Sequence, residues 1–210
     1  MQADVFRAWI TAAARVIEQH REHLTQLDAA IGDADHGINL SRGFTAVLSA
    51  MESAAPATPG AVLTLTGTTL ISKVGGASGP LYGTAFRGAG KALGDTADVD
   101  LPGLAAALDA ALAGVQRLGA AREGDKTMVD ALAPATGAFS KAVAEGASDA
   151  DALTALAEAA QAGAIATIPM QALKGRASYL GPRSVGHEDP GAASTALILA
   201  ALRDAALAGP

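Results

Sequence analysis

The beginning of the chain has apolar residues at the spacing of an α-helix. They recur every three or four positions over residues 4–27, at Val5, Trp9, Ala13, Val16, Leu24 and Leu27, with His20 in the same series. Residues with this spacing share one face of a helix. The pattern therefore predicts an amphipathic helix of about six turns that begins at Asp4 as its N-cap.

The amino-acid composition favours the same class of structure for the rest of the chain. Hydrophobic residues make up 50% of the sequence and aromatic residues only 3%, and most of the apolar residues are Ala and Leu. This mixture favours close-packed helices over strands. With 210 residues the chain can bury a sizeable core, so we expect one all-α domain over residues 1–210.

Seven further helices are predicted from apolar periodicity and from the Gly, Pro and Asp residues that flank it. One of these segments, "AVLTLTGTTLISKV", also fits a strand because it is rich in β-branched residues. Pro134 predicts a kink in one later helix, and Pro169 predicts an interruption in the next. The predicted ranges are 38–53, 61–74, 81–93, 101–121, 127–145, 150–173 and 192–207, which makes eight helices in all.

Charge and cysteine content exclude several classes of function. The net charge of −6 leaves no basic stripe, so DNA and RNA are not expected as partners. The absence of cysteine excludes a disulfide framework, a thiolate zinc site and a cysteine nucleophile, and a reducing compartment permits this pattern. No secretory signal and no apolar run of membrane-spanning length is evident, so we expect a cytoplasmic protein without a membrane partner.

The stretch "LDAAIGDADHGINL" places Asp28, Asp33 and Asp35 within eight residues. Carboxylates so close together repel one another unless a proton or a cation intervenes, and an all-oxygen ligand set suits a hard ion such as Mg²⁺. A calcium loop of the EF-hand type is excluded, because the twelfth position counted from Asp33 is Phe44 where a Glu is needed. Three solvated loop carboxylates remain the alternative.

Phosphate-binding patterns are present only in part. "GDADHGIN" has two glycines at P-loop spacing without the lysine, and "GAAREGDKT" has an Asp before its lysine, so a P-loop is excluded. Gly37 and Asn39 nevertheless stand at a predicted helix start, where free N–H groups attract anions. A phosphate bridged by a metal ion would fit there.

Two later loops are also candidates for ligand binding. "KVGGASGPLYG" is a glycine-rich loop around Ser78 whose backbone allows close approach of a ligand, although an ordinary tight turn has the same composition. In "GRASYLGPRSVGHEDPGA", Arg176 and Arg183 are suited to phosphate oxygens, and Asp189 with its two successors is suited to a turn against a ligand. Salt bridges within this loop are the alternative.

Four blocks of sequence together resemble the nucleotide-binding L subunit of dihydroxyacetone kinases: "LDAAIGDADHGINLSRGF", "VGGASGPLYGTAF", "GDKTMVDALAPA" and "KGRASYLGPRSVGHEDPGAAS". They occur in the order of that family and extend from residue 27 to about residue 195. The resemblance implies a closed antiparallel barrel of eight amphipathic helices, with ADP or ATP held by the loops at one end. It also implies that residues 61–74 are helical.

The resemblance implies roles for particular residues and none of them is catalytic. Asp28, Asp33 and Asp35 are expected to hold two Mg²⁺ ions that bridge the nucleotide phosphates. Two departures from the family pattern are Ala34, where Gly is frequent, and Pro182, where Glu is frequent. The expected nucleotide contacts are His36, Gly37, Ile38, Asn39, Ala77, Ser78, Gly119, Met128, Arg176, Asp189, Pro190 and Gly191.

The resemblance also implies partners. A K subunit would bind dihydroxyacetone, and a phosphohistidine on an M subunit would recharge ADP to ATP in place, with phosphoenolpyruvate as the source of the phosphoryl group. An ATP-dependent L subunit that serves another short ketose or sugar acid would have the same sequence features, as would a non-catalytic module that binds Mg²⁺ and nucleotide. Fatty-acid kinases resemble the chain less, because their metal loop has Thr at the position of His36.

Overall fold

The structure is a computed structural model that describes residues 1–209, and this part of the chain contains helices and no strand. One element is a 3₁₀ helix, Arg176–Ser184, and the others are α-helices. The α-helices are α1 (Ala3–Gln19), α2 (Arg21–Ile31), α3 (His36–Ala54), α4 (Pro59–Lys73), α5 (Ser78–Leu93), α6 (Leu101–Gly119), α7 (Val129–Ala144), α8 (Asp149–Ala166) and α9 (Pro190–Ala208).

Eight of the α-helices form a closed ring. Helix α1 packs against α3, each helix from α3 to α8 packs against the next one in the chain, and α9 packs against both α8 and α1. The short helix α2 follows α1 and packs against α3. The expectation of an all-α antiparallel bundle is therefore confirmed, and the loops at one end of the ring surround the cavity described below.

The first predicted helix is wrong in two respects. Its N-cap is Gln2, and Asp4 lies inside the first turn of α1. Residues 4–27 are also divided between α1 and α2. The break lies at His20, whose backbone leaves the helical region with φ −101° and ψ 10°. The His20 ring nitrogen Nδ1 is 2.9 Å from the carbonyl oxygen of Val16, which the His20 N–H also contacts. This local hydrogen bond of the side chain competes with continuation of the helix.

Two other predicted segments can be compared directly with the structure. The prediction that residues 61–74 are helical is confirmed except for Val74, the C-cap of α4, and this helix has Thr58 as N-cap and Pro59 in the first turn. The prediction of a helix over 150–173 is wrong beyond Ala166, because residues 167–175 form turns whose carbonyl groups bind the Lys126 ammonium group. Pro134 lies inside α7, and the kink there stays a prediction.

The core of the ring combines a few aromatic side chains with many small residues. Trp9 and Phe86 have ring centroids 5.6 Å apart, and Phe6 and Phe44 pack beside them. The indole N–H of Trp9 donates to the carbonyl of Ile198 at 2.9 Å, which connects α1 to α9 where the ring closes. The hydrogen bond of Trp9 therefore connects the first helix of the chain to the last one.

Helix α9 is the one helix in residues 1–209 that is long and apolar enough to cross a membrane, with 19 residues and a mean hydropathy of 1.3. The expectation that no apolar run reaches this length is therefore wrong for α9. Ile198, Leu199 and Leu202 are buried between α1 and α8. Its apolar character is thus explained by its position in the core.

Helices α4 and α5 approach each other closely through glycines. A Cβ atom added to Gly67 would lie 2.5 Å from the carbonyl oxygen of Gly83, and one added to Gly83 would lie 2.7 Å from the carbonyl oxygen of Gly67. The neighbouring atoms are backbone and cannot move aside cheaply. This contact fixes the position of the glycine-rich loop that joins the two helices.

We expect Gly67→Ala to destabilise the protein by about 1–3 kcal/mol, because the added methyl group must push α4 away from α5. The matched control is Gly137→Ala in the exposed face of α7, where an added Cβ meets no atom within 4 Å. Alanine should stabilise that helix by about 0.5–1 kcal/mol. Urea denaturation of both variants measures the two effects, and equal stability of both variants would contradict the close-packing argument.

Candidate functional site

Four α-helices begin around one cavity of about 290 Å³. The ring alternates the direction of its helices, so every second helix has its N-terminus at the same end. Each N-terminus is the positive end of a helix dipole, so the dipoles of four helices favour an anion in the cavity. The first residues of these helices that line the cavity are His36 of α3, Ser78 of α5, Val129 of α7 and Pro190 of α9.

The three predicted carboxylates meet at the edge of this cavity. One oxygen atom from each of Asp28, Asp33 and Asp35 lies within 4.8 Å of the others. Asp28 is buried at the end of α2, while the other two lie in the loop before α3 and remain partly exposed or exposed. The structure therefore brings together the residues that the sequence suggested as metal ligands.

Asp28 also shapes the loop that carries the other two carboxylates. Its Oδ2 atom accepts hydrogen bonds from the backbone N–H of Asp35 at 2.8 Å and of His36 at 3.1 Å. Ala34, between Asp33 and Asp35, has φ 63°, in the left-handed region that glycine adopts without strain. The Ala34 side chain thus occupies a position where the loop geometry favours glycine.

The donor atoms of this cluster fit a hard divalent cation. The cluster offers oxygen atoms only, because both ring nitrogens of the neighbouring His36 are engaged with hydroxyl groups. Oxygen ligands are those that Mg²⁺ prefers. The Arg176 guanidinium Nε lies 3.0 Å from Asp33 Oδ2, so this arginine supplies positive charge at the mouth of the cavity.

The imidazole of His36 is buried and bridges two helices. Its Nδ1 atom lies 3.0 Å from the Ser78 hydroxyl at the start of α5, and its Nε2 atom lies 2.8 Å from the Ser194 hydroxyl in α9. Burial lowers the pKa of His36 to about 4, against the opposing effect of the Asp28 carboxylate. The imidazole is therefore neutral at pH 7.

Asp189 is the N-cap of α9 at the floor of the cavity. Its Oδ2 atom accepts from the N–H of Ala192 at 2.7 Å, and its own N–H donates to the Thr167 hydroxyl at 2.9 Å. Burial raises the pKa of Asp189 to about 7, although the hydrogen bond from Ala192 favours the charged form. The side chain contributes to the cavity mainly by fixing where α9 begins.

Lys126 is fully buried under the loop that carries Arg176 and Asp189. Its ammonium group donates to the carbonyls of Thr167 at 2.8 Å and Met170 at 3.1 Å, and to that of His187. Burial lowers the pKa of Lys126, and the nearby carboxylates of Asp189 and Asp130 oppose this effect. One cation thus holds together several turns that form the cavity wall.

Most of the predicted nucleotide contacts line the cavity, but three do not. The backbone of Gly37 packs so closely on the carbonyl of Arg21 that a Cβ atom would lie 2.1 Å from it. Ile38 is 51% exposed, and the Asn39 side chain accepts a hydrogen bond from Arg42. The predicted residues that do line the cavity are Asp28, Asp33, Asp35, His36, Ala77, Ser78, Gly119, Met128, Arg176, Asp189, Pro190 and Gly191.

Several lining residues were not predicted as site residues. Leu81 and Val115 give one side of the cavity an apolar wall, and Tyr82 lies behind Ser78. Leu81 and Tyr82 lie in "VGGASGPLYGTAF", close to the predicted contact Ser78, and Lys126 lies in "GDKT", close to Met128. Their proximity in sequence to predicted contacts could therefore have identified them as lining residues. Val115 has no such signal, because it is one apolar residue among many in α6.

Similarity to known proteins agrees with this geometry. Residues 30–204 match the family model described as the DAK2 domain. The chain is 42% identical over 198 residues to the ADP-binding subunit of the PEP-dependent dihydroxyacetone kinase of Escherichia coli (strain K12), with 94% of each chain covered. It is 38% identical over 195 residues to D-erythrulose kinase of Mycolicibacterium smegmatis, which covers 92% of this chain and 34% of that protein.

A solved structure has a similar fold. It is the crystal structure of the dihydroxyacetone kinase from C. freundii in complex with AMP-PNP and Mg²⁺, which has a TM-score of 0.73 and 29% sequence identity. The match covers 97% of this chain and 34% of the other, so this chain spans about a third of that kinase. Because the family model covers residues 30–204 and the Escherichia coli subunit matches over nearly its whole length, this chain belongs to the DAK2 domain family.

Proposed function

We propose that this chain is the nucleotide-binding subunit of a dihydroxyacetone kinase and holds ADP or ATP together with Mg²⁺. The observation that carries the proposal is a single cavity that combines three clustered carboxylates with four helix N-termini. Carboxylates and phosphates repel each other unless a cation lies between them. Similarity to an ADP-binding subunit, and to a kinase crystallised with AMP-PNP and Mg²⁺, supports the same ligand.

The lining of the cavity suits both parts of a nucleotide. Asp33, Ser78 and Arg176 supply polar and charged groups for the phosphates and their cation. Leu81, Val115 and Met128 supply apolar surface for the base. Arg176 is exposed, and within residues 1–209 its one ion pair is with Asp33, so it can turn to a phosphate oxygen at little cost.

Asp28, Asp33 and Asp35 would hold two Mg²⁺ ions, as the family resemblance implies. Bound there, the ions would neutralise charge on the phosphates and fix their orientation. Phosphoryl transfer needs positioning and charge neutralisation more than covalent chemistry from the protein, so the carboxylates, the helix N-termini and Arg176 are sufficient for the nucleotide half of the reaction. The acceptor would have to come from a partner.

The proposed partners are a K subunit that binds dihydroxyacetone and an M subunit whose phosphohistidine recharges ADP in place. Exposed apolar residues near the cavity mouth support docking of a partner subunit there. Leu173 is 54% exposed and Tyr179 is 88% exposed, and they precede and follow Arg176 in the sequence. Exposed aromatic and aliphatic side chains are typical anchors of protein interfaces. Pro182 lies in the same exposed 3₁₀ segment, where the residue frequent in the family would add a carboxylate.

Another short ketose is the second candidate for the acceptor. The D-erythrulose kinase of Mycolicibacterium smegmatis is similar to this chain over 92% of its length, at 38% identity. Every group proposed here contacts nucleotide or metal, so the acceptor would be selected by the K-like partner. In both cases the function of this single domain, residues 1–210, is to present the phosphoryl group.

We expect Asp33→Ala to weaken binding of ADP in the presence of Mg²⁺ by about tenfold or more, or ~1.4 kcal/mol, because a cation ligand is lost. The fold should be unaffected, since Asp33 is exposed and makes no buried contact. Isothermal titration calorimetry with and without EDTA measures the effect. The matched control is Asp109→Ala, an exposed aspartate in α6 outside the cavity. Equal ADP affinity in both variants, or ADP binding that ignores EDTA, would exclude the proposed site.

Asp28→Ala should behave differently from Asp33→Ala. It removes the acceptor of two backbone N–H groups at the start of α3, so we expect a loss of stability of about 1–3 kcal/mol in addition to weaker nucleotide binding. Urea denaturation of the two variants without ligand measures this contrast. Identical midpoints would mean that Asp28 does not organise the metal loop.

We expect the ADP-loaded chain to be recharged by a phosphohistidine M subunit faster than its ADP is exchanged for free ATP. The assay mixes the chain with a K subunit and dihydroxyacetone, and supplies either phosphoenolpyruvate with the phosphotransferase proteins or ATP alone. Dihydroxyacetone phosphate should form from phosphoenolpyruvate at catalytic concentrations of ADP. Product from ATP only would assign the chain to the ATP-dependent type of kinase.

A further inference from the structure

A buried chain of hydrogen bonds extends from the cavity into α9 and passes through His36. The Ser78 hydroxyl faces the cavity and contacts His36 Nδ1 at 3.0 Å. His36 Nε2 contacts the Ser194 hydroxyl at 2.8 Å, and this hydroxyl lies 2.7 Å from the Tyr82 hydroxyl. Ser194 is fully buried and does not line the cavity.

Two proton arrangements satisfy this chain. A neutral imidazole has one N–H donor and one acceptor nitrogen, and the Ser194 hydroxyl has a single proton to donate. In the first arrangement Ser194 donates to His36 Nε2, the imidazole proton is on Nδ1, and Nδ1–H donates to Ser78. In the second arrangement Nε2–H donates to Ser194, whose proton then goes to the Pro190 carbonyl at 2.9 Å, and Ser78 donates to Nδ1.

The two arrangements give the cavity opposite hydrogen-bonding character. In the first, the Ser78 proton is free to point into the cavity, because His36 Nδ1 is the only hydrogen-bond partner of that hydroxyl within residues 1–209. In the second, Ser78 presents only lone pairs. Phosphate oxygens accept hydrogen bonds and cannot donate them when ionised, so only the first arrangement binds phosphate through Ser78.

We propose that Ser194 is a positioning residue for the nucleotide, which holds His36 with its proton on Nδ1 so that the Ser78 hydroxyl donates to a phosphate oxygen. The single proton of the Tyr82 phenol has two acceptors within reach, the Ser194 hydroxyl at 2.7 Å and the Gly191 carbonyl at 2.9 Å. Because the Thr195 hydroxyl also donates to the Gly191 carbonyl, at 2.8 Å, the phenol can donate to Ser194 and leave the Ser194 proton for His36 Nε2. This inference rests on the proposed nucleotide site. It assigns a binding role to a residue in α9 that no ligand in the cavity would contact.

A double-mutant cycle tests the coupling between Ser194 and Ser78. Ser78→Ala should weaken ADP binding in the presence of Mg²⁺ by about tenfold, as expected for loss of a hydrogen bond to a charged group. Ser194→Ala should weaken it by about fivefold in the wild-type background and should have no further effect in the Ser78→Ala background. If Ser194 acted only on the packing of α9, the two losses would multiply to about fiftyfold, and this result would overturn the proposal.

A control variant separates this effect from the general loss of a buried hydroxyl. Thr66 is fully buried in α4 and donates to the carbonyl of Val62 at 2.9 Å, as Ser194 can donate to Pro190. Thr66→Ala should leave ADP affinity unchanged. If wild-type protein fails to bind ADP with Mg²⁺, the proposed nucleotide site is wrong. If it binds ADP but the Ser194 and Ser78 effects multiply, only the positioning role is wrong.

The tautomer of His36 provides a direct spectroscopic readout. Nitrogen chemical shifts of ¹⁵N-labelled histidine distinguish Nδ1–H from Nε2–H, and the signals of His36 are assigned by their loss in His36→Asn. We expect the proton on Nδ1 in the protein loaded with Mg²⁺ and ADP, and a proton on Nε2 would overturn the proposal. His36→Asn places an amide donor near the position of Nδ1, so it should retain more ADP affinity than His36→Gln, and the reverse order would also contradict it.

Discussion

The structure depends on the alternating direction of the helices in a closed ring. Because neighbouring helices are antiparallel, α3, α5, α7 and α9 all begin at the same end, around one cavity. Each of these N-termini contributes the partial positive charge of its helix dipole. The fold therefore creates an anion-binding cavity before any charged side chain is considered, and the loops at that end only have to add a cation site and select the ligand.

The carboxylate cluster would place the proposed metal site beside the four helix N-termini. Asp28 is buried and uses one oxygen to bind the N–H groups of Asp35 and His36, so it fixes the loop. Asp33 lies at the mouth and is paired with Arg176. The buried carboxylate thus organises the site, and the exposed one can exchange its arginine partner for a cation, because an exposed ion pair contributes little to stability.

Helical periodicity predicts most of the elements, because each helix buries an apolar face, and sequence proximity alone brings Asp28, Asp33 and Asp35 together. The predicted helix boundaries that are wrong have a common physical cause, because they depend on hydrogen bonds that the spacing of apolar residues does not reveal. The break at His20 coincides with a hydrogen bond of its side chain. Helix α8 ends just before Thr167, whose carbonyl accepts a hydrogen bond from the Lys126 ammonium group, 41 residues away in the sequence. The Ser194 contact with His36 spans 158 residues and depends on the closing of the ring, so no local pattern reveals it.

Burial separates the groups that maintain the shape of the cavity from those available to a ligand. Lys126, Tyr82 and Ser194 are buried and bind backbone carbonyls or one another, so their geometry does not depend on what enters the cavity. Arg176 and Asp33 differ from these groups, since both are accessible and, among the residues that the structure describes, each forms a salt bridge only with the other. The proposed function, in which the chain holds a nucleotide and presents its terminal phosphate to a partner, would use this division. Charged groups at the mouth could rearrange during transfer while the buried walls kept the nucleotide in one orientation, which is the condition for positioning to contribute to the rate.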